Sequence, residues 1–84
     1  MKPILFGRAV LTRDLPDEGL LAGDVGVVVE VYPSREGVPE GYELEFFSAG
    51  GTTLAVVSVP ATAVRAATER EVLSIRDLAR SKRD

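Results

Sequence analysis

The side chains able to do chemistry in this sequence are carboxylates and hydroxyls. Glu43 and Glu45 alternate within "YELEFF", and a pair of carboxylates on one strand face suggests acid–base hydrolysis. Asp14, Asp17 and Glu18 in "DLPDE" offer oxygen ligands to a hard cation. Ser34, Ser48, Ser58, Ser74 and Ser81 are available as nucleophiles. Activation is what they lack. The chain has no histidine and no cysteine, so the commonest general base, the commonest metal ligand and every thiolate are missing. The acidic spacing is not that of an EF-hand loop, and alternating glutamates describe any solvated strand face. The expectation is a protein that is not an enzyme and that takes no cofactor and no metal.

The elements that must carry these residues are strands. "RAVLTRDL" reads as a first strand near 9–14, and "PDEGLLAGD" as a loop from which Leu20 or Leu21 folds back onto the core. In "GDVGVVVEVYP" the valines at 25, 27, 29 and 31 recur with period two, which predicts a strand over 25–32 with its odd face inward. Asp24 is a turn residue whose carboxylate bonds nearby N–H groups, and Gly26 marks a bulge or a close approach of backbone. "PSREGVPEG" is a polar loop. "YELEFF" is a third strand with Tyr42, Leu44 and Phe46 inward, and "SAGG" is a hairpin turn. "TTLAVVSV" is a fourth strand over 53–59, and "PATAV" fits a single 3₁₀ turn before a closing strand at 63–66.

The tail changes character. Glu71 stands three residues after Thr68, a capping-box spacing, and Val72, Ile75, Leu78 and Ala79 recur at helical intervals. The spacing predicts a helix from about Glu69 to Ser81. The division expected is a barrel over residues 1–67 and a helical tail over 68–84. Residues 1–66 carry five basic and nine acidic side chains, whereas 67–84 carry five basic and four acidic ones. A helix of about 13 residues is marginal alone in water, so the stripe of Val72, Ile75 and Leu78 needs a surface to rest on.

Five short strands, the last reached through a 3₁₀ turn, resemble an SH3-like small barrel. A more specific resemblance runs through "AVLTRDLPDEGLLAGDVGVVVEVYP" and "GYELEFFSAGGTTLAVVSVPATAVRA". It rests on Leu11-Thr12, Asp14-Leu15-Pro16, Gly19-Leu20, Gly23 to Gly26, Val29 to Tyr32, Tyr42 to Phe46, Thr53-Leu54 and Val59-Pro60-Ala61. Over roughly residues 9 to 66 the chain resembles the small bacterial family catalogued as domain of unknown function 4926. That resemblance implies a mainly β fold, an SH3-like five-stranded barrel followed here by the C-terminal α-helix, and transfers no activity.

Composition narrows the function. Net charge is −3 with a pI near 4.9, which disfavours a polyanionic partner. The alternative kept is a nucleic-acid-associated domain of the SH3-like, KOW type. No apolar run approaches the ~20 residues of a membrane span, and "MKPILFGRAV" lacks a convincing cleavage site, so the expected location is the cytoplasm. A small core without disulfides or metal favours self-association, here a homodimer. Tyr32 and Phe47 fall opposite the expected core face, beside the polar loop Ser34 to Gly41. The reading is a protein-binding module, an accessory or regulatory partner of a protein encoded by a neighbouring gene. Its expected interface residues are Tyr32, Phe47, Arg35, Val72, Ile75 and Leu78.

Overall fold

In the computed structural model residues 1–78 are described. Five strands form one sheet: β1 (Arg8–Leu11), β2 (Val25–Tyr32), β3 (Gly41–Phe47), β4 (Thr53–Pro60) and β5 (Val64–Ala66). The spatial order is β4-β3-β2-β1-β5, with every neighbouring pair antiparallel. β4 and β5 are its two ends and are not paired with each other, so the sheet is open.

The turns explain this order. Arg35 and Val38 exchange backbone hydrogen bonds of 2.9 and 2.8 Å, closing the tip of the β2–β3 loop. At the β3–β4 turn the Ser48 hydroxyl accepts the Thr52 N–H at 3.0 Å, and Gly51 takes the left-handed conformation at φ 92. Pro60 ends β4, and a 3₁₀ turn over Ala61–Ala63 carries the chain across to the far side of β1. The β1–β2 loop holds a second 3₁₀ turn, Pro16–Glu18, closed by the Leu15–Leu20 pair.

The core lies on one face of the curved sheet. Leu11, Leu20, Val28, Tyr42 and Leu44 are its largest fully enclosed side chains, with Phe46, Val57, Val59 and Val64 around them. Leu20 folds back from its loop while Leu21 stays exposed, and Gly26 is a close approach. A Cβ built there would lie 3.0 Å from the Phe46 ring.

Two expectations require correction. The odd valines do not form the core face of β2. Val28 is the buried one, at 0% exposure, whereas Val27 and Val29 are half-buried; of the odd set, Val31, also half-buried, packs against the core as expected. The register explains it. Val28 faces Leu44 and Val31 faces Tyr42, and the pairing slips by one residue between Val28 and Glu30. A β-bulge there reverses inward and outward parity within the strand, so no single period-two face survives its whole length.

The helix expected in the tail is also absent. No α-helix occurs among the described residues, and residues 71–78 have no regular secondary structure. Half of the capping box does form, because the Glu71 carboxylate accepts the Thr68 N–H at 2.8 Å. The turn then fails to propagate. Val72 and Ile75 stay 91% and 85% exposed, so nothing among the described residues buries the apolar stripe and the nucleation cost is not recovered. The rest of the expected helix, residues 79–81, lies outside the described residues.

Candidate protein-binding surface

The face of the sheet turned away from the core has two halves. One, over β1, β5 and the start of β2, is partly covered by the tail. Val10, Val25, Arg65, Ala67, Val72 and Leu73 line a cleft of about 190 Å³ there. Two ion pairs fasten the tail across it. Arg65 forks onto Glu71, with Nη1 donating to Oε1 at 2.8 Å, and Arg76 forks onto Asp24. Asp24 also accepts the Leu21 N–H at 2.9 Å, so its turn role and its tail contact share one carboxylate. The hydrogen bonds from Arg65, and then from the Thr68 N–H, hold the Glu71 carboxyl down from an ordinary 4.5 to about 2.

The other half lies over β2, β3 and β4. Alternation on β3 turns Glu43, Glu45 and Phe47 outward. The register sets Glu30 and Ser58 beside Glu43, and Val27 and Val56 beside Glu45. Tyr32, opposite Gly41, donates its hydroxyl to the Glu43 carboxylate at 2.7 Å. That bond first, then partial burial and the nearby negative charges, raises the Tyr32 phenol above its ordinary value. Thr53 donates to Glu45 in the same way.

Tyr32 and Phe47, 41% and 44% exposed, therefore share a face but not a patch. They mark the two ends of β3, six residues apart in register, a span of roughly 20 Å at strand rise. Tyr32 lies by the loop carrying Arg35, and Phe47 lies at the opposite, β3–β4 end. Arg35 is exposed at its loop tip, beside the left-handed Gly37. Val72, Ile75 and Leu78 are exposed on the tail and are not aligned into the helical stripe their spacing predicted. The Arg76–Asp24 contact, bridging 52 positions, left no signal in the sequence. The Arg65–Glu71 pair left a misleading one, because Glu71 read as a capping residue.

Among the described residues no group of three or more carboxylates gathers as a metal centre would, and no helix is long and apolar enough to cross a membrane. The arrangement is that of a small, mainly β domain whose outward face sets Glu43 and Glu45 between Tyr32 at one end of β3 and Phe47 at the other. Residues 5–66 match the family described as Domain of unknown function (DUF4926), and the chain belongs to that family. No curated protein and no solved structure matches it.

Proposed function

We propose that this protein is a non-enzymatic, cytoplasmic protein-binding module, an accessory or regulatory partner of another bacterial protein, built as a variant of the SH3-like barrel. The return of β5 to the side of β1 through a 3₁₀ turn supports that architecture. The observation that carries the function is the outward face of β2, β3 and β4. It bears two half-exposed aromatics that bracket Glu43 and Glu45. Aromatics of this kind anchor protein interfaces, and the acids between them suit a partner with a basic surface. Glu30, Glu43 and Glu45 on that same face repel phosphate and speak against nucleic acid.

A test is capture of partners from the native cell by the tagged chain, with products of neighbouring genes as first candidates. The double variant Tyr32→Ala, Phe47→Ala is expected to keep its fold and lose the partner. Unfolding of that variant, or capture unchanged by it, rejects the face. A homodimer is a second reading, favoured by the exposure of Val72 and Ile75. Light scattering of the full chain and of a chain ending at Ala67 tests it, and a monomeric full chain at high concentration rejects it.

A further inference from the structure

The two ends of the sheet differ. The outer side of β5 is occupied: the Ala66 N–H donates to the Met1 carbonyl at 3.1 Å, and Glu71 holds Arg65. β4 is eight residues long, carries no charged side chain, and has β3 as its one strand neighbour among the described residues. Leu54 and Val56 on it are half exposed. Long apolar edges attract another strand, and proteins usually blunt them with lysine, proline or a cover. Here Pro60 and the pairing slip at Phe47 guard only the two tips.

Beside this edge runs a groove of about 470 Å³. One wall is Val56, Val57 and Ser58; the other is Asp14, Leu15, Pro16, Asp17 and Glu18. Val57 is buried, so Val56 and Ser58 are the exposed β4 residues of this wall. The acidic wall is preformed, because Leu15 and Leu20 exchange backbone hydrogen bonds of 2.8 and 3.2 Å. Asp14 Oδ1 also accepts the Ala22 N–H at 2.8 Å.

We propose that β4 is a strand-addition site for an extended, basic segment of a partner protein. Alternate residues of an edge strand turn their N–H and C=O groups outward, and those groups supply affinity to an incoming strand. Specificity comes from charge. Lysines or arginines at alternate positions of the segment meet Asp14 and Glu18 on the loop side, and Leu54 and Val56 receive apolar residues between them. A second copy of this chain fits less well, since its own acidic wall would be brought against this one. The inference deepens the protein-binding reading by naming the mode of docking and the partner's chemistry.

The probe is a blocked peptide of alternating Lys and Val, as long as β4, titrated into the full-length chain. Two controls replace Lys by Glu or carry N-methyl groups at every second residue. The Lys peptide is expected to bind and to slow amide exchange within residues 54–59. Both controls are expected to bind about tenfold more weakly or worse, through lost charge or lost hydrogen bonds. Glu18→Lys is expected to weaken the Lys peptide several-fold and strengthen the Glu peptide, at an unchanged urea midpoint. Equal binding of the N-methylated peptide, protection elsewhere, or no binding overturns the proposal. So does a concentration-dependent dimer with β4 protected, which assigns the edge to a second copy. None of these results touches partner capture through Tyr32 and Phe47, so the two readings fail separately.

Discussion

A Cβ added at Gly41 would sit 2.8 Å from the Val59 carbonyl oxygen, a backbone atom held in the β3–β4 ladder. Gly41→Ala is therefore expected to lower stability by about 1–3 kcal/mol in urea unfolding, because the sheet must move to admit the methyl group. Gly50→Ala, whose nearest neighbour would be the Ser48 hydroxyl at 3.9 Å, should change the midpoint little. Tyr32 gives the complementary case of a residue that can change without cost to the fold. Its hydroxyl bond to Glu43 is exposed, so Tyr32→Phe is expected to stay within about 0.5 kcal/mol of the parent. The sequence showed both residues clearly. It could not show that Gly41 touches a neighbouring strand, because that distance is set by register.

At the scale of elements, four of the five strands read from apolar and β-branched runs between turn signals lie within about two residues of their predicted bounds, and β1 stops early at Leu11. The inward parity of β2 was not legible. An unbroken run from Val27 to Val29 fits either face, and the bulge that chooses between them comes from pairing with β3. Val28→Ala is accordingly expected to cost about 1.5–3 kcal/mol, and Val29→Ala under about 1, measured by denaturant unfolding. The reverse order would contradict the bulge. The tail misled because its capping and stripe signals were real but found no burial among the described residues to complete them. Its fastening is ionic, which sets a direction with pH. Glu71 is held down to about 2, so the link to Arg65 is fully present above the ordinary carboxylate value and is lost as pH falls through about 2. A carboxyl-shift titration should place the Glu71 midpoint near 2 in the parent, and Arg65→Ala should return it toward 4.5.

For the whole molecule, an open sheet with its core on one side divides the work among its surfaces. The inner face supplies stability, the tail covers part of the outer face over β1 and β5, and the part over β2, β3 and β4 carries the exposed Tyr32, Phe47, Leu54 and Val56. The candidate site was only partly legible. Tyr32 and Phe47 were visible as aromatics off the core face, but their separation along β3 and the exposed length of β4 follow from tertiary register. The measurement that tests the protein-binding function most directly is quantitative capture from the native cell. It compares the tagged parent with the Tyr32→Ala, Phe47→Ala variant, with urea midpoints recorded for both. One protein partner is expected in near-stoichiometric amount with the parent, strongly depleted with a variant that remains folded. Absence of any protein partner, or equal recovery with both chains, would contradict it.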